Sequence, residues 1–205
     1  MKNKVYEFIK RLFDLVVSFV GCMFLIPIIL IVKIVSLISG DFNSIFYSQT
    51  RIGQQGKEFK LFKFRSMVVN ADKELDKILE ANPELKEEYT INKKLKHDPR
   101  VTKIGRILRR SNIDELPQVI NVLMNQMSIV GNRPYLPKEI KDIDKDYQKI
   151  VKYKPGITGL WQTSGRKDRT FKYRCNLEAE YSEIRSLSVD IKILLKTIKI
   201  VFKGD

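Results

Sequence analysis

The chain has 205 residues, 43% of them hydrophobic, which suits one domain with a real core and excludes a disordered tail. Two cysteines, Cys22 and Cys175, and a single histidine, His97, exclude a disulfide scaffold and a Cys/His zinc site, and fit a reducing compartment. Lys and Arg total 38 against 24 Asp and Glu, a formal charge of +14, so the expected partner is an anion: acidic lipid, a phosphorylated substrate or nucleic acid.

Leu15 to Val32 are eighteen residues without a charge. As a helix they reach roughly 27 Å, a borderline span of a ~30 Å hydrocarbon core. No small-x-small cleavage site follows, which argues against a secretory signal. Lys2, Lys4, Lys10 and Arg11 on one flank and Lys33, Arg51, Lys57 and Lys60 on the other leave the positive-inside rule without an outer side. Pro27 removes a backbone donor near the middle of the stretch, so the expected arrangement is a re-entrant helix-turn-helix, dipping into one leaflet over residues 1–40.

Residues 41–205 then form the expected catalytic domain. Ser44 to Thr50 and Glu58 to Arg65 are aromatic-rich strand candidates around a glycine turn, and Val68 to Ala81 reads as a polar helix stopped by Pro83. Glu84 to Tyr89 continues as a short acidic helix. Lys93 to Arg110 holds eight Lys/Arg and one Asp, yet lacks the aromatics that stack bases, so phosphate on a small molecule or lipid is the better partner and nucleic acid is not expected. His97, in a turn before Asp98-Pro99, reads as structural.

The chemically informative segment is Ser111-Asn112-Ile113-Asp114-Glu115-Leu116-Pro117-Gln118, leading into a helix at Val119 to Met124. Ser111 and Asp114 match a capping pattern and Pro117 is tolerated only in a first turn, which sets two adjacent carboxylates at a helix start. Arg109, Arg110 and Arg133, with Lys63 and Arg65 upstream, surround them with cations. One carboxylate able to attack phosphorus, its neighbour able to hold a divalent ion, and guanidiniums to neutralise the transferring oxygens suit phosphoryl chemistry. The alternative is a membrane-anchored basic binding module for anionic lipid or nucleic acid, in which Asp114 and Glu115 merely cap a helix.

Lys154-Pro155-Gly156-Ile157-Thr158-Gly159-Leu160-Trp161-Gln162-Thr163-Ser164-Gly165-Arg166 permits close backbone approach to a ligand. From Ser188 onward, Lys192, Lys196, Lys199 and Lys203 recur among Ile191, Leu194, Leu195, Ile198 and Phe202, the pattern of a basic amphipathic interfacial helix. The fold class expected is therefore α-rich α+β: a membrane hairpin, one short β-hairpin and amphipathic interfacial helices.

Taken together, the apolar dip with Pro27, Arg51-Ile52-Gly53, Lys63-Phe64-Arg65-Ser66-Met67, Asp98-Pro99-Arg100, Asp114-Glu115-Leu116-Pro117-Gln118, Arg133-Pro134 and Pro155-Gly156-Ile157-Thr158-Gly159 cover nearly the whole chain. In that order they resemble the bacterial sugar transferases, the monotopic polyprenyl-phosphate phosphoglycosyl transferases, in their minimal catalytic form. The resemblance implies transfer of a sugar-1-phosphate from a UDP-sugar to polyprenyl (undecaprenyl) phosphate, with UMP released and cell-surface glycan synthesis begun. It implies Asp114 as the nucleophile of a covalent aspartyl-phosphosugar, and Glu115 as the Mg2+ ligand. Arg133 and Pro134 fall at the phosphate, Lys63, Arg65 and Arg109 support the anionic site, and Gly156, Thr158, Gly159, Gln162 and Arg166 fall on the nucleotide or sugar side. Trp161 points to a hexose such as galactose or glucose and leaves N-acetylated sugars open. The implied location is the cytoplasmic face of a bacterial inner membrane, among membrane lipids, with downstream glycosyltransferases and a second copy of the chain admitted as partners. Two departures stand out: Ile26 replaces the usual Ser before the proline, and Asn132 replaces the first proline of a Pro-Arg-Pro triplet.

Overall fold

The computed structural model of the chain describes residues 2–143, 145–165 and 170–203. It is helix-rich α+β, with two small sheets of two strands each among the described residues.

A single helix, α1 (Lys2–Ile38), runs through Pro27 without a break, where the sequence pattern predicts a turn. Proline withdraws one intrahelical hydrogen bond, but the apolar residues on both sides keep bonding beyond it, so the helical path continues. At about 1.5 Å per residue α1 is ~55 Å long. Lys10, Asp14, Ser18, Leu25, Val32 and Ser36 are buried, and their spacing puts them on one stripe facing the rest of the protein. Phe8, Phe19, Met23, Phe24, Ile26, Leu30 and Ile31 project the other way and are exposed. A soluble protein would not leave such a surface in water. Among the described residues α1 is the one helix long and apolar enough to cross a membrane. It ends where Gly40 turns left-handed (φ 74°) and the Asp41 amide donates back to the Ser36 carbonyl at 3.0 Å.

Strands β1 (Phe46–Ile52) and β2 (Glu58–Phe64) form the expected antiparallel hairpin, with Phe46 opposite Phe64 and Ile52 opposite Glu58. Gln55 and Gly56 take positive φ in the connecting turn. Alternation on β2 buries Phe59 and Leu61, then Phe64, and leaves Lys63 half-buried. Helices α2 (Ala71–Ala81) and α3 (Pro83–Asn92) are separate, because Pro83 starts the second rather than continuing the first. After the basic helix α4 (Lys103–Arg110), a 3-10 turn at Ile113–Glu115 leads into α5 (Gln118–Leu123).

Strand β3 (Ser128–Val130) pairs in parallel with β4 (Gly156–Thr158), and the short helix α6 (Tyr147–Ile150) lies between them in the chain. A Cβ built on Gly156 would sit 2.0 Å from the Gly131 amide nitrogen, so the two backbones touch as only glycine allows. Helix α7 (Phe171–Ile184) is capped by Thr170, whose hydroxyl accepts from the Tyr173 amide at 3.3 Å. Helix α8 (Leu187–Lys203) buries Ile193 and Asp190 while Ile191, Leu195 and Ile198 face outward beside exposed Lys192, Lys196 and Lys199, the amphipathic arrangement expected.

The core joins these pieces. Phe59, Leu61, Val122, Met127, Ile129, Val130, Tyr181 and Ile193 form one cluster, and Leu25, Val32, Ile45, Phe64, Leu108 and Val119 another, so α1 belongs to the packed interior along one side. Polar ties reinforce this: Arg11 donates to the Val122 carbonyl at 2.8 Å at the end of α5, and the Ile129 amide donates to Asp14 Oδ1 at 2.9 Å. Both cysteines are free.

Candidate active site

Asp114 and Glu115 lie in the 3-10 turn that the chain makes between α4 and α5. The turn is entered through Asn112 in the left-handed region (φ 57°) and followed by Pro117, which takes helical angles and precedes α5. Ser111 does not cap the following helix: its hydroxyl donates back to the Ile107 and Leu108 carbonyls at 2.9 and 3.1 Å, closing α4. No side chain caps α5 either, so the two carboxylates are not there as its N-cap.

Their environments differ. Asp114 is 8% exposed. Burial, reinforced by the like charge of Glu115, pushes its carboxyl from 3.8 up to about 6 against the pull of Lys63 and Arg109. Burial also acts upward on Glu115, but there the cations win: Lys63 Nζ donates to Oε1 at 2.6 Å, and Lys63, Arg133 and Arg51 together hold it below the usual carboxylate value. Adjacent carboxylates with ionisations pushed in opposite directions divide naturally into two tasks. Glu115 is a firm anion for a cation. Asp114 is poised near neutrality, ionised but poorly solvated just above it.

A small open cleft lies beside Glu115, and among its lining residues are Arg51, Lys63, Glu115, Gln118, Arg133 and Gln162; Asp114 is its neighbour in the chain but is not one of the lining residues. Pro134 and Gly156 also line it. Lys63 comes from β2, Glu115 from the turn, Arg133 and Pro134 from the segment after β3, and Gly156 from β4; the close contact of Gly131 with Gly156 is what sets the last two beside each other. Arg109, on the last turn of α4, donates its Nε to Ser66 Oγ at 2.9 Å and acts on Asp114 through its charge.

Not every expected residue reaches this cleft. Arg65 turns its guanidinium to both carboxylate oxygens of Asp41, at 3.0 and 2.9 Å, and to the Ser44 carbonyl, bracing the end of α1. Thr158 Oγ1 shares a hydrogen bond of 2.7 Å with Thr197 on α8, since strand alternation points it away from the cleft. Gly159 is buried against the Gly131 carbonyl, 2.1 Å from where its Cβ would be, and supports the wall rather than facing ligand. Trp161 packs beside Tyr173, ring centroids 6.5 Å apart. Arg166 lies outside the described residues. His97 is exposed.

Four lining residues were absent from the expected set: the apolar Leu61 and Ile157, and the polar Arg51 and Gln118. Gln118 sits within the quoted Asp114–Gln118 motif and is 3% exposed. Arg51 is 7% exposed on β1, where a strand arginine ordinarily reads as a solvated side chain. Among the described residues no group of three or more His, Cys, Asp or Glu is assembled for a metal. Of the two neighbouring carboxylates only Glu115 lines the cationic cleft, and Mg2+ needs no more than one or two carboxylates when substrate phosphates complete its shell.

The chain is similar over most of its length to several known proteins. The chain is 41% identical over 199 residues to a UDP-galactose-lipid carrier transferase of Erwinia amylovora, covering 97% of this chain and 41% of the relative. It is 40% identical over 192 residues to the exopolysaccharide production protein ExoY of Sinorhizobium fredii, covering 94% and 84%. It is 39% identical over 199 residues to the undecaprenyl-phosphate galactose phosphotransferase of Salmonella typhimurium, covering 97% and 41%. The chain thus spans about two fifths of the first and third relatives and most of the second. The family model for bacterial sugar transferase matches residues 5–204, and with the carboxylate pair, its cationic cleft and the apolar helix in place, the chain belongs to the bacterial sugar transferases.

Proposed function

We propose that the chain moves a sugar-1-phosphate from a UDP-sugar onto membrane polyprenyl phosphate, releasing UMP and starting a surface glycan. The carrying observation is Glu115 in a cation-lined cleft, with the buried Asp114 next to it in the chain and its ionisation pushed the opposite way. An Asp114 oxygen attacks the sugar-linked phosphorus as the bond from that phosphorus to the bridging oxygen breaks, and UMP departs with the electron pair. The lipid phosphate then attacks the same phosphorus and frees Asp114. Lys63 and Arg133 bind the phosphate oxygens, Arg109 keeps Asp114 ionised, and Gln118 and Gln162 offer amide contacts to the nucleotide or sugar. Glu115 would hold Mg2+ together with the diphosphate; when bound, that ion neutralises charge developing on the phosphoryl oxygens. Galactose and glucose are the sugars to test first, because relatives carry those sugars in their names.

The same contacts support a membrane arrangement. The buried stripe of α1 stays against the domain from Lys10 to Ser36, so a transverse helix would drag a charged domain into hydrocarbon. Both ends of α1 therefore remain on one side, the cytoplasmic one, with the outward apolar surface immersed and α8 at the headgroups. In a chain freed of its own cysteines, Asn3→Cys and Ser39→Cys should react with an impermeant thiol reagent from the same side; opposite-side labelling overturns this arrangement.

UMP release from UDP-galactose and UDP-glucose with Mg2+ in native membranes tests the reaction. Turnover that disappears in Asp114→Asn, and a labelled sugar-phosphate trapped on the protein without lipid, are expected. Undiminished turnover in that variant removes the nucleophile.

A further inference from the structure

We infer that Arg51, paired with Arg133, seats the phosphate of the departing nucleotide; this rests on the reaction proposed above and assigns the leaving-group side of its cleft. Arg51 and Arg133 line the same cleft, and the Nε of each is buried with no hydrogen-bond partner. An unpartnered buried donor is costly unless a ligand completes it. Arg51 is fixed in place: Nη1 donates to the Pro134 carbonyl at 3.1 Å and Nη2 to Gln49 Oε1 at 2.8 Å, and the neighbouring Ile52 amide donates to the Tyr135 carbonyl at 2.9 Å. These bonds tie β1 to the segment that carries Arg133.

Burial, and then the charge of Arg133, lower Arg51 to about 10, which leaves it cationic at neutral pH and shows the two guanidiniums repelling each other. The nearest acidic side chain to Arg51, Glu139, stands at 3.9 Å, outside hydrogen-bond range, and accepts instead from the Leu136 amide at 2.7 Å. A buried guanidinium beside a half-buried one of like charge, with an incomplete counterion, forms a preorganised seat for a dianion.

The lining of the cleft places this seat. Arg51 and Arg133 line it together with Glu115, whereas Asp114 and Arg109 do not line it, and Arg109 is bonded to Ser66. The Arg51–Arg133 pair therefore lies on the Glu115 side of the carboxylate pair. In an in-line displacement the nucleophile and the leaving oxygen take opposite ends of the transferring phosphorus. As the bond from Asp114 to that phosphorus forms and the bond to the bridging oxygen breaks, that oxygen becomes a terminal oxygen of UMP, and its charge grows against Arg51 and Arg133. No proton is needed.

The test is UMP and hexose 1-phosphate binding by calorimetry, on the full chain in lipid nanodiscs. Arg51→Lys keeps the charge and loses the fork, so UMP binding should weaken about tenfold or more while hexose 1-phosphate changes less than about twofold. Glu139→Gln removes the partial counterion and should tighten UMP binding about threefold, a gain that structural damage does not produce. Unchanged UMP binding in a folded Arg51→Lys, or equal losses for both ligands, overturns the assignment. If Arg51→Lys does not fold, Glu139→Gln decides alone, and UMP binding that is unchanged or weaker there overturns it too. A wild-type chain that neither binds nor releases UMP overturns the proposed reaction and this inference with it, an outcome distinct from failure of Arg51 alone.

Discussion

Two buried polar clusters flank β3, and they are built on opposite principles. In the first, Asp190 of α8 accepts from Lys10 Nζ at 2.6 Å, from Tyr6 Oη at 2.8 Å and from Tyr181 Oη at 2.7 Å, while Lys10 also donates to the Val130 carbonyl at 2.9 Å. The knot is closed, with each of these charges answered by a neighbour. In the second, which begins just past the end of β3, Arg51 Nε, Arg133 Nε, Asn132 Oδ1, two nitrogens of Arg174 and both oxygens of Glu178 are buried without hydrogen-bond partners. Burial pushes the Glu178 carboxyl up to about 7 against the charge of Arg174. A satisfied cluster fixes α1 to α8; in the unsatisfied one only Arg51 and Arg133 line the cleft, and their unpartnered donors carry a cost in stability.

Breaking each cluster should therefore fail differently. The largest effect is on the reaction: Asp114→Asn should lower transfer by roughly 10³-fold or more, measured as UMP release. The same change should stabilise the fold. The carboxyl is raised from 3.8 unfolded to about 6 folded, so the penalty for charging it is absent below pH 4, grows between pH 4 and 6 and is complete above pH 6. Thermal melts should show Asp114→Asn higher by on the order of 1–3 kcal/mol at pH 7.5, with no gain at pH 4. In the closed knot, Lys10→Met leaves the buried Asp190 with its two tyrosine donors but no countercharge, and should cost about 3–5 kcal/mol in denaturant titrations, with KM for the UDP-sugar unchanged in the folded fraction. Gly156→Ala sharpens the contrast, because it displaces the wall of the cleft without altering a charge; a loss of about 1–3 kcal/mol accompanied by a fall in kcat/KM is expected. The smallest effect needs no mutation. With Asp114 titrating at about 6, the rate of the first half-reaction should fall about tenfold per unit as the pH drops well below that value, and flatten above pH 7.

Much of this was legible in the residues. The hairpin followed from two aromatic-rich segments around a glycine turn, the break between α2 and α3 from Pro83, and α8 from its lysine spacing, because each signal is local. The carboxylate pair stood out for the same reason. What escaped was set by distant partners. Lys10 looks like one more basic flanking residue until Asp190, 180 positions later, meets it. Arg51 is buried by a segment more than 80 positions on. Ser111 fits two capping roles, and only the path of the chain chooses between them. Pro27 shows that a missing donor alone does not turn a long apolar helix.

The grip of α1 on α5 carries a consequence for reach. Arg11 closes the carbonyl end of α5, and Gly21 lies so near Val119 that an added Cβ would stand 3.0 Å from its side chain. Helix α5 is only six residues, about 9 Å, and the reactive turn sits at its other end. However far α1 sinks among the lipids, Asp114 sinks or rises by the same amount. In the arrangement proposed above, the helix thus serves as a depth gauge that sets Asp114 at the level of the lipid phosphate.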